Sequence, residues 1–355
     1  MLIIRTAFLL CVAWLGLTGA AVCAQEARPA LPFAGTDAVT LLNDGGVEER
    51  LGGAIEQIVG ERLTFRRNGR GNILVLRLAD VVEISFHRSL AWDEGLQQYR
   101  EGRYQQALQK FDTALVKERR DWAWCELQAA AVRADIQLGR RQAAVDRIEL
   151  ILEKDPRSRH VSLLPLVWDA RLPTAERISA EPDGLRGATM VKRLVAASAL
   201  LHDPDYRGAA TSVLERIREA EGLSRLGELA TTQLWRLHLL NKPDERNPVL
   251  GIWADRVREM SDEARAGPQY VVARGYRQHH DYDRAAMGFL WMPLMSPLDR
   301  SLSAMSLVEA VECLKLAGRL SEAAVMANEL QQRFPNTSAA EQLQQAGAGS
   351  APERP

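Results

Sequence analysis

A chain of 355 residues is long for one domain, since ~150 residues per domain is usual, and about two are expected. Apolar residues at 46% and charged residues at 26% sit near globular averages, which excludes wholesale disorder and collagen-like order. With 45 basic against 46 acidic residues the net charge is −1, so bulk attraction to phosphate backbones or anionic lipid is absent and no nucleic-acid partner is expected.

Residues 1–24 read as an export signal: Arg5 and the amino terminus supply positive charge, Ala7 to Val22 is almost wholly apolar, and Val22-Cys23-Ala24 offers a cleavage site. The mature chain is expected to begin at Gln25, to lie in the periplasm or outside the cell, and to start with a linker over residues 25–35. A lipoprotein would use Cys23 as acceptor, but bulky Val22 stands where a small residue is wanted. The apolar run falls short of the ~20 residues of a bilayer span and no later run approaches that length, so no stable membrane insertion is expected after cleavage. Of the four cysteines, cleavage removes Cys11 and Cys23. Cys125 and Cys313, far apart in helical stretches, are expected to be buried thiols.

Residues 36–89 alternate with period two or in short apolar runs, with breaks at Asn43-Asp44-Gly45-Gly46, Gly52-Gly53 and Asn68-Gly69-Arg70-Gly71-Asn72. Strands are expected at 39–42, 54–59, 63–67, 73–78 and 82–86, where Val, Ile, Leu, Phe and Thr suit half-buried positions. Five short strands with this spacing resemble a small SH3-like or Sm-like barrel. Sm-like barrels often bind RNA, but the export signal takes this one away from RNA, and Arg66, Arg67 and Arg70 are read as a solvated hairpin tip.

From residue 90 the period becomes helical and stays so to about 345, which makes the fold class mainly α. Gly102, Ala107 and Phe111 set a frame that recurs as Gly139, Ala144, Ile148 and Pro156, as Tyr276, Tyr282, Ala285, Phe289 and Pro297, and as Gly318, Ala323 and Pro335. Tyr206 and Ala209 mark a weaker copy, with Ala197 as its first-helix partner. These residues resemble the tetratricopeptide repeat, in which small residues bring two antiparallel helices together, an aromatic fills the space between units and proline ends the second helix. Gly95 and Ala107 are the small residues of the first unit. Alanine spacings of 37, 65, 76 and 38 accommodate roughly six helix pairs at the family's ~34-residue period. Residues 157–190 and 222–265 depart from the pattern, and Pro165, Pro173 and Pro182 point to an irregular pair in the first gap. A short helix past Thr337 or Ser338 would cover the last apolar face, and residues 346–355 read as a disordered tail.

Chemistry-bearing motifs are scarce. His279-His280-Asp281 is the one cluster suggestive of a metal, but adjacent histidines diverge and the repeat frame places them in a solvated turn between paired helices, so no metal is expected. No nucleophile elbow, Walker loop, His-Glu-x-x-His or dinucleotide fingerprint occurs in the mature chain, and neither a cofactor nor an enzymatic role is expected. The resemblance implies that the first helix of each unit lines a groove for a peptide. Carried over by the repeat frame, it selects Trp92, Tyr99, Arg100, Arg133, Gln137, Tyr270, Arg274 and Arg277, followed by Glu312 and Lys315. Arginine dominates, which suits an acidic protein or peptide partner held by bidentate hydrogen bonds. The expectation is an exported scaffold with an α-solenoid behind a small barrel. The rivals are a cell-wall glycan binder using aromatic or barrel residues and an enzyme with an unfamiliar site.

Overall fold

The computed structural model describes residues 37–42, 46–68, 72–222, 224–241, 249–295 and 298–348. The expected export signal and linker, the loop residues 43–45 and 69–71, Pro297 and residues 349–355 of the expected tail lie outside the described residues.

Five strands form one antiparallel sheet, β1 (Asp37–Leu42), β2 (Glu48–Val59), β3 (Arg62–Arg67), β4 (Ile73–Arg77) and β5 (Val81–Ser85), in the spatial order β4-β3-β2-β1-β5. Val39 stands opposite Leu51 and Ile84, and Leu63 opposite Ile58 and Leu76, so the inward positions line up across the sheet. All five expected strands are present. The second runs further than its pattern suggested, because Gly52-Gly53 lies inside β2 and is not a break. A Cβ on Gly53 would sit 2.1 Å from the Arg66 carbonyl oxygen, so the missing side chain serves close strand approach.

The sheet is open, which corrects the barrel expectation: β4 and β5 are its two edges and, among the described residues, they do not pair with each other. Closure is unnecessary because helices cover the apolar face. Val39, Leu51, Leu63 and Phe65 share one core with Trp92, Phe111, Trp122 and Leu127. Phe86, just past β5, packs edge-on to Trp92 and Trp122 with ring centroids 5.2 and 4.9 Å away.

The remainder is helical: α1 (Leu90–Arg100), α2 (Tyr104–Leu115), α3 (Asp121–Gln137), α4 (Arg141–Lys154), α5 (Met190–Leu200), α6 (Arg207–Glu221), α7 (Arg225–Asn241), α8 (Val249–Glu259), α9 (Asp262–Gln278), α10 (Tyr282–Met295), α11 (Arg300–Leu316), α12 (Leu320–Arg333) and α13 (Ser338–Ala348). The mainly α architecture with a small N-terminal sheet is compatible with a helical repeat. No helix among the described residues is long and apolar enough to cross a membrane.

Four of the helix pairs are joined by the same turn. Gly102, Gly139, His280 and Gly318 adopt left-handed φ values of 75°, 72°, 61° and 76°, and each precedes its buried alanine, Ala107, Ala144, Ala285 or Ala323, by the same interval. In each, the next residue's N–H donates to a carbonyl one helical turn back: Arg103 to Gln98, Arg140 to Asp135, Asp281 to Tyr276 and Arg319 to Leu314, at 2.8–3.0 Å. This is the helix-ending geometry that glycine accommodates without a Cβ penalty. His279-His280-Asp281 is therefore a hairpin turn in which His280 stands where the other copies have glycine. In the weaker copy the packed alanine is Ala210, fully buried, whereas Ala209 is exposed. One residue rotates a helix position by ~100°, which moves Ala209 off the packed face.

Alanine-rich α3 is buried on two sides: Leu127, Ala131 and Ala134 face the sheet's core, and Cys125, Ala129, Val132 and Ile136 face the larger helical core. Arg147 of α4 ties its neighbours together, donating to Asp112 of α2 and to Gln128 and Asp135 of α3 at 2.8–2.9 Å. Cys125 and Cys313 are free and buried, and burial pushes their thiols up to about 12 and about 11.

Between α4 and α5 the irregular helix pair is replaced by an extended chain with three short 3-10 turns, Arg159–Leu163, Thr174–Glu176 and Pro182–Arg186. Prolines at 165, 173 and 182 forbid longer helices there. Leu164, Leu166, Val167, Trp168 and Leu172 are nevertheless buried in the helical core.

Candidate functional site

Residues 164–172 run across side chains projected by α5, α7, α9 and α11, which define an inner face. The Val167 N–H donates to Ser198 Oγ of α5 at 2.9 Å, and the Ser198 hydroxyl lies 3.3 Å from the Val167 carbonyl. Trp168 packs against α9, where Gly267 makes room: a Cβ there would fall 2.0 Å from the indole. Asp169, with 0% exposure, then enters a clamp. Its carboxylate accepts from the Tyr270 hydroxyl of α9 and from the Arg171 guanidinium, with Arg274 at 3.9 Å. Arg171 reaches on to Glu309 of α11, which also receives Arg277 of α9.

Burial pushes the Asp169 carboxyl upward, but the Arg171 bond and the charges of Arg274 and Arg171 outweigh it and hold it well below the usual carboxylate range. Burial beside the same carboxylate drives the Tyr270 phenol upward, so it stays a hydrogen-bond donor. Behind the clamp lies Arg236 of α7, 4% exposed, which donates to His202 Nδ1 at 2.9 Å. Burial, then the Arg274 charge, brings Arg236 down to about 9, and burial, then Arg236, brings His202 down to about 3. At neutral pH the imidazole is uncharged and accepts through Nδ1.

A second feature opens at Leu163. Tyr99 and Arg100 of α1, Tyr104 of α2, Arg133 and Gln137 of α3, Leu298, Arg300 of α11, Arg333 of α12 and Phe334 line a cleft of about 530 Å³. Its walls come from α1–α3 on one side and from Leu298, α11, α12 and Phe334 on the other, and Gln137 Nε2 joins them by donating to the Leu298 carbonyl at 2.7 Å. Tyr99 and Tyr104 meet edge to face at 5.3 Å, while Arg300 and Arg333 stack over Phe334 at 5.5 and 5.3 Å. Arg333 also pairs with Glu329 at 3.0 Å outside the lining. Burial, then the neighbouring Tyr104, raises the Tyr99 phenol, which therefore remains protonated across the physiological range.

The residues selected by the repeat frame thus fall into three places. Tyr99, Arg100, Arg133 and Gln137 come together in the cleft. Tyr270, Arg274 and Arg277 gather at the clamp, and there they already face the chain's own carboxylates; Tyr270 is 1% exposed, and Glu312 is held by Arg277 at 2.5 Å. Trp92, 3% exposed, lies in the core under the sheet and not on an open face, because Phe86 caps it. Lys315 is exposed on α11, outside both groups. Asp169, Arg171, Glu309, Tyr104, Arg300, Arg333 and Phe334 were not selected. Asp169 and Arg171 sit in a stretch without periodicity, and the others lie off the frame positions, so sequence spacing carried no signal for them.

No protein-family model matches this chain, and no curated protein matches it.

Proposed function

We propose that the chain is an exported scaffold that binds a protein or peptide through helix pairs of the tetratricopeptide kind, holding an acidic segment of its partner in the cleft between Arg100 and Arg300. The observation that carries this reading is the cleft's lining. Arg100, Arg133, Arg300 and Arg333 surround it together with Tyr99, Tyr104 and Phe334, and among the described residues no aspartate or glutamate lines it. Guanidinium groups beside aromatic faces suit bidentate capture of carboxylates with apolar contact alongside. The recurring left-handed turns and buried alanines support the repeat reading, and Gly95 supports it too: a Cβ there would fall 2.6 Å from the Phe111 ring, the small-against-aromatic contact of the repeat. Export rests on the composition of residues 1–24. The role is one of binding, and no reaction is assigned to the chain.

The test is a pull-down after crosslinking in the exported compartment, comparing wild type with Arg100→Ala/Arg300→Ala. Recovery of the partner should fall at least tenfold in the variant, and in wild type it should weaken as salt rises, since exposed charges are screened over ~8–10 Å. Equal recovery by a variant of unchanged circular dichroism rejects the cleft.

A further inference from the structure

The inner face carries an occupant of a particular kind. Residues 164–171 (Leu-Pro-Leu-Val-Trp-Asp-Ala-Arg) have no regular secondary structure, and the main-chain groups of Val167 are held by a side chain, Ser198 Oγ, and not by a neighbouring strand or helix. Four apolar side chains, Leu164, Leu166, Val167 and Trp168, bury themselves against helices, and the apolar run is followed by one carboxylate, Asp169, received by Tyr270 and Arg274 of the face and by the segment's own Arg171. A bound peptide is held this way: main-chain hydrogen bonds fix the path, pockets take the side chains and a charge sets the register.

The fit beneath this segment is incomplete. Gln233 Nε2 and Arg236 Nε, on fully and nearly fully buried side chains of α7, have no hydrogen-bond partner among the described residues, a cost that a better-matched ligand would remove. Beyond the carboxylate a cavity of about 290 Å³ continues along Arg171, Arg274, Arg277 and Gln278. Pro165 stands at the segment's start and Pro173 just past its end, and short 3-10 elements flank it, so it can leave the face without unwinding an α-helix.

We propose that the face formed by α5, α7, α9 and α11 is a peptide-binding surface whose ligand in this structure is the chain's own residues 164–171, and that a partner offering an extended apolar segment ending in a carboxylate exchanges with it. The Tyr270–Arg274 pair reads the carboxylate, and Ser198 reads the backbone. This surface is distinct from the Arg100 cleft, whose lining includes none of these residues, so either proposal stands if the other fails.

The experiment uses the full-length protein. Amide hydrogen exchange followed by mass spectrometry should show residues 164–172 of wild type exchanging ahead of α9 and α11. In Asp169→Asn, which alters the occupant and leaves the face intact, their exchange should rise at least tenfold while α9 and α11 stay protected. A fluorescent peptide of residues 162–172 should bind Asp169→Asn at least tenfold more tightly than wild type, and the same peptide with asparagine for its aspartate should lose that gain. Arg171→Ala, also confined to the occupant, replaces Asp169→Asn if that variant loses its helical circular dichroism. Exchange of residues 164–172 only in step with α9 and α11 in both proteins makes the segment permanent core and overturns the proposal. So does an opened variant that binds the peptide no better than wild type.

Discussion

The carboxylate of Asp169 accepts a hydrogen bond from the hydroxyl of Tyr270, 101 positions further along the chain, and both groups are buried. The contact joins an irregular segment to the middle of α9, and it anchors residues 163–169, which are buried although they form no α-helix. Removing the hydroxyl leaves the charge in place with one donor fewer. Tyr270→Phe should therefore destabilise the fold by about 1.5–3 kcal/mol, the range for hydrogen bonds to charged groups. Asp169 keeps Arg171 and Arg274, so unfolding should remain cooperative. Urea titration of the two proteins measures the difference, and equal midpoints would dissociate the hydroxyl from stability.

Acid should weaken the protein in two steps. His202 has a folded pKa lowered from 6.5 to about 3 by burial and then by Arg236, so between those values the unfolded chain binds the extra proton. Its contribution is complete above pH 6.5 and is lost as pH falls through that window. Glu126 adds a second step. Burial acts upward on it, but the His160 hydrogen bond and charge together with Arg159 bring it from 4.5 to about 2, so its contribution is present above pH 4.5 and declines below. Urea midpoints should be level above pH 6.5, fall gently to pH 4.5 and steeply beneath it. His202→Gln, which keeps an acceptor for Arg236, should flatten only the upper step.

The repeated turns make opposite predictions at equivalent positions. Gly102 and Gly318 have φ values of 75° and 76° with open space around the missing Cβ, so substitution there meets a conformational cost and no collision. Gly318→Ala should cost about 1 kcal/mol. His280, at φ 61°, already bears that cost, and His280→Gly should recover it in part, less the hydrogen bond between its ring and the Tyr282 hydroxyl at 2.8 Å. Thermal melts of the two variants should move in opposite directions.

These turns were legible in the sequence because a glycine at a constant distance before a small residue is a local requirement, visible wherever two helices reverse. The strands were legible for the same reason, through the alternation of Val82, Ile84 and others. What covers the sheet was not. Whether five strands close on themselves depends on Trp92, Phe111 and Leu127, which compete for the same apolar face from outside the strand segments. The path of residues 155–189 was likewise hidden, since prolines report where helices stop and say nothing about which distant surface the chain crosses. Tyr99, Arg100, Arg133 and Gln137 could be grouped from the sequence because the repeat frame puts them on first helices, whereas Arg300 and Arg333 lie off the frame positions and reach the same cleft from the far end of the chain.

Two helical glycines separate packing from propensity. Gly251, exposed in α8, has nothing within 4 Å of a virtual Cβ, whereas Gly267 in α9 has Trp168 ring atoms at 2.0, 2.3 and 2.4 Å. Alanine improves helix propensity at either position by about 0.8–1 kcal/mol. At Gly251 nothing opposes the gain, so Gly251→Ala should stabilise by roughly that amount. At Gly267 the new methyl enters the indole of a buried side chain, and moving Trp168 disturbs the segment that delivers Asp169 to Tyr270. Overpacking of this kind costs about 1–3 kcal/mol, enough to exceed the propensity gain. Gly267→Ala should therefore destabilise, and its Trp168 fluorescence should shift to longer wavelength as the ring meets water. If Gly267→Ala melts above wild type, as Gly251→Ala is expected to, the close contact between α9 and residues 164–172 is absent in solution.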